Sequence, residues 1–488
     1  MKTNIPPTTE IVVDYFKSVP FFIYVAANLA TNLATDLAYP LAEIEYDIDQ
    51  TSSEPRAIQT FDTVQRDGEQ TPGGAMTLKQ KLLITEILAE LGLDVLEVGF
   101  PASAGDLSSK ISESDLRNQY PKTKVCVLAR MVMSDIVAAK KALNEVNPGC
   151  KVIHTFLATS PVHREIKLGG KSVSDVCETT KTHISYISKD RNPDGSPIYE
   201  IIFSPEDATN TPIEDLKKVV KVAVESGAST INIPDTLGTA QPEEIYSLIK
   251  EMIIYTRSLK LLLGLNYDIK IAFHGHDDSG LAVANTLAAI KAGVDQIQTT
   301  PSGQGERSGN TALIRVIMAM MARPDIYSRY KTNLNYSYFA KAIQEIDQIM
   351  GTNYFELVKR QFLHASGIHQ AQVAKSNIQH IGKGAITRGN LLFDPITNEY
   401  IEIRDVYQPI NANELGFRPP FYGLVLTKHS GMAGVKAVLM MSGCNIDEMD
   451  KVESAYKNLV AANSVEGLDS PKTIFTAEDV MEYVNSLS

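Results

Sequence analysis

The chain has 488 residues, of which 21% are charged and 44% hydrophobic, the proportions of a globular protein able to bury a large core. Its 46 Lys and Arg against 58 Asp and Glu leave a net charge of −12, which argues against nucleic acid or an anionic membrane as the main partner, because both select clustered positive charge. Cys126, Cys150, Cys177 and Cys444 are too few and too scattered for a disulfide framework, and the absence of any CxxC pair excludes a zinc ribbon, so a reducing, cytoplasmic setting is expected.

Residues 1–57 read as an extension without an assignable role. Its apolar run from Lys17 to Ala42 is broken by Pro20, Asn28, Asn32, Asp36 and Pro40, too often to span a bilayer. Glu10 and Asp14 offset Lys2 and Lys17, which disfavours a secretory or transit signal.

From Ile58 a rhythm sets in. Strand-length apolar runs occur at 58–63 (IQTFDT), 94–100 (DVLEVGF), 123–129 (TKVCVLA), 150–158 (CKVIHTFLA), 199–204 (YEIIFS), 229–235 (STINIPD), 269–276 (IKIAFHGH) and 294–300 (VDQIQTT). Amphipathic stretches fill the gaps, among them 78–92, 212–227 and 281–293, the last two closed by Gly227 and Gly293 as helix C-termini often are. Near-continuous Val/Ile runs point to parallel strands buried on both faces. Eight such βα units over 58–323 predict an α/β fold, a (β/α)8 TIM barrel, in preference to an open doubly wound sheet. The rhythm stops after Arg323. Residues 324–430 read as a linker and subdomain, and 431–488 as a smaller, mainly helical C-terminal subdomain.

In such a barrel the chemistry sits at the C-terminal ends of the strands. Those ends carry Arg66 and Asp67 (strand one), Glu97 and Gly99 (two), Ser204 and Glu206 (five), Asp235 and Thr236 (six), His274, His276, Asp277 and Asp278 (seven), and Glu306, Arg307 and Asn310 (after eight). His274 and His276 are two apart on a strand, so they face the same way and can share one metal ion. Taken alone, the pair is as well explained by hydrogen bonds to nearby carboxylates. Asp67 and Asn310 tip the balance, because strands one and eight lie close to strand seven around a closed ring. Mixed nitrogen and oxygen ligands suit Mg, Mn or Zn. The stretch Gly303-Gln-Gly305-Glu-Arg-Ser-Gly309 misses the dinucleotide fingerprint by one residue and is not read as a nicotinamide site.

The motifs FDTVQRDGEQTPGGAMT, EVGFP, IHTFLATSP, FSPEDA, INIPDT, HGHDDSGLAVANTLAAIKAG and GERSGNTAL together resemble the 2-isopropylmalate synthases and their homocitrate and citramalate synthase relatives, the DRE-TIM metallolyases. The likeness resumes at HASGIHQ, KHSGMAGVKAVL and FTAEDV. It implies an acyltransferase that condenses acetyl-CoA with a 2-oxo acid and then hydrolyses the thioester. It further implies a divalent metal on Asp67, His274, His276 and Asn310, substrate contacts from Arg66, His154, Ser204 and Thr236, and a carboxylate, Glu206, that activates acetyl-CoA. In the family the subdomain of one chain reaches over its partner's barrel, so the resemblance implies a homodimer and adds His369 and Tyr407 as acid–base residues. The motif IHTFLATSPVHREIKL points to 3-methyl-2-oxobutanoate as acceptor and to leucine biosynthesis. Homocitrate, citramalate and methylthioalkylmalate synthases, using other 2-oxo acids, are the alternatives; a barrel metallohydrolase or an inactive binding protein is more remote. The chain stops soon after FTAEDV, so the family's regulatory domain, and inhibition by leucine, are expected to be missing.

Overall fold

In the computed structural model of the chain, residues 54–102 and 120–363 are described without a break, followed by separate stretches between 366 and 482. The eight apolar runs form eight strands: β1 (Gln59–Asp62), β2 (Val95–Glu97), β3 (Lys124–Arg130), β4 (Lys151–Ala158), β5 (Glu200–Glu206), β6 (Thr230–Asp235), β7 (Lys270–Gly275) and β8 (Gln296–Thr299). Each pairs with its sequence neighbours in parallel, and β1 also pairs with β8, closing the barrel. The α/β barrel expected from the sequence is therefore the fold.

Helices alternate with these strands. Among them are α1 (Leu78–Glu90), α2 (Met133–Ala142), α3 (Pro161–Leu168), α4 (Val173–Ser188), α5 (Ile213–Glu225), α6 (Pro242–Leu263), α7 (Ala282–Ala292) and α8 (Leu313–Ala322). Local sequence fixes their ends. Thr77 and Gln80 form a reciprocal capping box at the start of α1, as Ser172 and Asp175 do for α4. Gly293 ends α7 with φ 98°, a left-handed turn that glycine takes without steric cost.

Strand register sorts the barrel interior into levels. The lower end carries Lys124, Glu200 and Lys270, with Glu200 paired to both lysines, and a hydrogen bond of 2.8 Å from Gln296 to Gln59. Above it Phe61, Val95, Cys126, Val152 and Ile202 form an apolar layer that excludes water. The same faces of the strands, one step higher, present Thr63, Glu97, His154, Ser204, Asn232 and His274, all at most 5% exposed. The polar upper level rests on a dry floor.

A second compact unit comprises Asn335–Asp347 and the described part of Asn353–Ser488. Helix Met449–Ala462 belongs to it, with a core of Leu426, Val435, Leu439, Val452, Tyr456 and Phe475. The same unit contains a three-stranded antiparallel sheet, Thr387–Arg388, Leu391–Asp394 and Glu399–Glu402. Strands of two and four residues are too short for alternation to reveal them in the sequence. Among the described residues no helix is long and apolar enough to cross a membrane.

Phe61 is fully buried in the apolar layer. Phe61→Ala is expected to cost about 3–5 kcal/mol of unfolding free energy, read from denaturant melts; a loss under about 1 kcal/mol would contradict that layer's structural role.

Candidate metal centre and active site

The segment after β1 turns back at once. The backbone N–H groups of Arg66, Asp67 and Gly68 all point to the Thr63 carbonyl, at 3.1, 2.8 and 3.1 Å. Helix α1 clamps this turn from outside. Lys81 donates to the Gln65 carbonyl at 2.9 Å and pairs with Glu69 at 2.5 Å, and Thr85, one helical turn on, meets the Gln65 side chain. Gly68 is required by space, since a Cβ there would lie 2.8 Å from Val64 Cγ2. The turn leaves Asp67 pointing into the mouth, 3% exposed.

There it meets the histidines of β7. Asp67 Oδ2 lies 3.3 Å from His274 Nε2 and 4.0 Å from His276 Nε2, and the two Nε2 atoms are 3.3 Å apart. Asn310 arrives from the segment after β8, which pairs antiparallel with the end of β7 so that Asn310 stands opposite His276. Paired positions share a face of the sheet. The glycine-rich stretch makes this approach possible. Gly309 has φ 92°, and a Cβ on it would sit 2.0 Å from the Gly303 carbonyl oxygen. Asn310 Nδ2 donates to the Gln304 carbonyl at 2.9 Å, which leaves its side-chain oxygen for another partner.

The electrostatics suit a cation. Burial alone would raise the Asp67 carboxyl, yet Arg66 and the two histidines hold it well below the usual carboxylate range. Burial, and then the neighbouring His274, push His276 down to about 4, so it is a neutral ligand near pH 7. Asp67 Oδ2 and Asn310 Oδ1 are buried and accept no hydrogen bond. A buried carboxylate oxygen and two imidazoles within reach of one another fit a divalent ion, and the unpartnered amide oxygen of Asn310, opposite His276, is a candidate further ligand.

Beside this cluster a buried chain of polar groups crosses the mouth. Arg66 donates through Nε to Glu97 at 2.7 Å and lies 3.3 Å from Asp67. Glu97 reaches His154 at 2.6 Å, His154 reaches Ser204 at 2.7 Å, and Asn232 donates to Ser204 at 2.8 Å. Glu97, Cys126 and His154 are close enough to suggest a second metal site. The contacts exclude it: both oxygens of Glu97 and both ring nitrogens of His154 are in use, and burial, followed by Glu97, pushes the Cys126 thiol up so that it stays protonated.

A family model described as HMGL-like matches residues 57–346. The chain belongs to the HMGL-like family. It is similar to a protein named 2-isopropylmalate synthase from Methylacidiphilum infernorum, at 35% identity over 82% of this chain and 71% of that one. Like-named proteins from Pyrococcus abyssi and Campylobacter hominis are 35% and 33% identical, covering 82% and 86% of this chain and 73% and 75% of theirs. These relatives make the chain an enzyme of the 2-isopropylmalate synthase type.

Of the residues singled out in this HMGL-like sequence, Asp67, His274, His276, Arg66, His154 and Ser204 lie in or beside the mouth, with Asn310 opposite His276. Thr236 sits on the next loop, where its hydroxyl accepts from the Asp207 N–H at 3.0 Å. Glu206, the last residue of β5, is held by Lys167 and, at 3.2 Å, by His163. His369 and Tyr407 lie outside the described residues.

Two rim residues named from the sequence, Glu97 and Arg307, have roles it did not show, and Asn232 escaped it. Glu97 was visible as a rim carboxylate but not as the junction between Arg66 and His154. Asn232 looks like any residue of STINIPD, and only its register on the inner face brings it to Ser204. Arg307 binds Asp278 through two nitrogens, at 2.8 and 3.0 Å, and the Thr236 carbonyl at 2.9 Å, tying three loops together.

Titration of the metal-free chain with Mn2+ is expected to show one tight site by calorimetry. Asp67→Asn and His276→Ala should each weaken it at least tenfold, and Gly309→Ala should weaken it by displacing Asn310. Unchanged affinity in Asp67→Asn would remove the ligand assignment.

Proposed function

We propose that this enzyme condenses acetyl-CoA with a 2-oxo acid and hydrolyses the resulting thioester, with 3-methyl-2-oxobutanoate as acceptor and 2-isopropylmalate and CoA as products. What supports the reading is the cluster of Asp67, His274 and His276 beside a buried arginine, with Asn310 paired opposite His276. The choice of acceptor rests on the names of the relatives and on the IHTFLATSPVHREIKL motif. Asp67, His274, His276 and Asn310 would hold a divalent ion, which would supply Lewis acidity at the ketone.

The chain's own groups do the rest. In this reading one proton leaves the acetyl methyl, the new carbon–carbon bond forms at the ketone carbon, and the ketone oxygen gains negative charge. Arg66 stands beside the ligand Asp67 with its guanidinium already fixed by Glu97, so it meets that charge without reorganising. Burial works against the guanidinium's charge, but Asp67 and Glu97 keep it firmly protonated. Thr236 already accepts a hydrogen bond through its oxygen, which leaves its proton to donate to the substrate carboxylate. His154 and Ser204 line the same pocket. Glu206 is the candidate for handling the acetyl group. Water then cleaves the thioester and CoA leaves as the thiol.

His369 and Tyr407 complete the acid–base set in this proposal, supplied across a homodimer in the cytoplasm. The test is release of CoA thiol from acetyl-CoA with a panel of 2-oxo acids. Release that requires both a 2-oxo acid and a divalent ion, fastest with 3-methyl-2-oxobutanoate, is the expected result. Release indifferent to the 2-oxo acid would overturn the reaction, and a faster alternative acid would overturn the choice of acceptor. Arg66→Ala is expected to lower kcat by about 100-fold or more, as loss of an oxyanion donor does; a kcat within threefold of wild type would remove that role.

A further inference from the structure

The carboxylate of Glu97 has no free oxygen. Oε2 accepts from Thr63 Oγ1 at 2.7 Å and from Arg66 Nε at 2.7 Å, and Oε1 lies 2.6 Å from His154 Nδ1. The chain continues through His154 Nε2 to Ser204 Oγ at 2.7 Å, and Asn232 Nδ2 donates to the same Oγ at 2.8 Å. Glu97, His154, Ser204 and Asn232 are 1, 3, 5 and 2% exposed, so bulk water cannot substitute for a lost partner.

These contacts have one direction. An ionised carboxylate only accepts, so His154 carries its proton on Nδ1. His154 Nε2 on the far side of the ring meets the Ser204 hydroxyl. Asn232 fills one lone pair of the same oxygen. Asn232 thus donates to Ser204, His154 donates to Glu97 through Nδ1, and Arg66 donates to Glu97 from the opposite side.

We propose that Glu97 is the positioning residue of this active site: by gripping Arg66 through Nε and His154 through Nδ1, it sets the aim of the guanidinium and the orientation of the imidazole together. Engagement of Nε leaves the two terminal nitrogens of Arg66 for the mouth, one of them 3.3 Å from Asp67. Holding Nδ1 against Glu97 also turns Nε2 to the Ser204 hydroxyl. Glu97 itself does not touch the substrate; it acts through its partners, as supporting residues of a preorganised site do.

The turnover half of this inference rests on the condensation proposed above, and a spectroscopic half does not. Glu97→Gln keeps the shape but cannot accept on both sides. The expected result is a kcat lowered roughly 10- to 100-fold, with the KM for acetyl-CoA and the affinity for Mn2+ less affected, since Glu97 touches none of the candidate metal ligands. In the wild-type protein with labelled histidines, a strongly downfield imidazole N–H resonance is expected, deleted by His154→Gln and moved upfield by Glu97→Gln. A wild-type kcat in Glu97→Gln overturns the inference. So does a wild-type spectrum without that resonance, which needs no variant to fold. If the wild-type chain releases no CoA with any 2-oxo acid, the proposed reaction fails, and the resonance alone decides the role of Glu97.

Discussion

A carboxylate removed from water has to be matched by positive charge, and around Asp67 that charge comes from Arg66. Arg66 supplies a full charge 3.3 Å away, while His276 is held neutral by burial and by its neighbour. One oxygen of Asp67 still accepts no hydrogen bond, and an amide oxygen from Asn310 is in the same condition. Left unmatched, each would cost free energy of order 1–3 kcal/mol or more. A bound divalent ion turns that cost into affinity. Much of the upper barrel serves to hold this arrangement: the clamp of α1 on the turn after β1, the glycines that let Asn310 in, and the Arg307 strut across three loops.

Closure of the barrel is what makes the arrangement possible. Asp67 and Asn310 are far apart in sequence and meet β7 only because β1 pairs with β8 and β8 with β7. The vertical order matters as much. A charged lower end and an apolar middle layer keep water from reaching the polar upper level from below. In that dry setting the hydrogen bonds among Arg66, Glu97, His154 and Ser204 are strong, and breaking one is expensive.

The parts of this architecture that could be read from the sequence are those with a local signature. Parallel strands buried on both faces gave eight apolar runs at regular spacing, and all eight lie on observed strands. His274 and His276 were readable because two residues on one strand share a face. Asp67 and Asn310 followed from the closed ring. Glu97 and Asn232 resisted because their meaning lies in register: each becomes functional through a neighbour on another strand, 57 residues away for Glu97 and His154 and 28 for Asn232 and Ser204. The alternating faces of a strand locate such residues on the inside, but the tilt of the barrel decides which of them meet. The charged lower end, Lys124–Glu200–Lys270, was hidden for the same reason.

The most direct test of the central claim is anomalous diffraction from crystals grown with Mn2+. The account requires a single strong peak within coordination distance of Asp67 Oδ2, the Nε2 atoms of His274 and His276, and Asn310 Oδ1. A peak elsewhere, or an ordered mouth with no peak at saturating Mn2+, would contradict it.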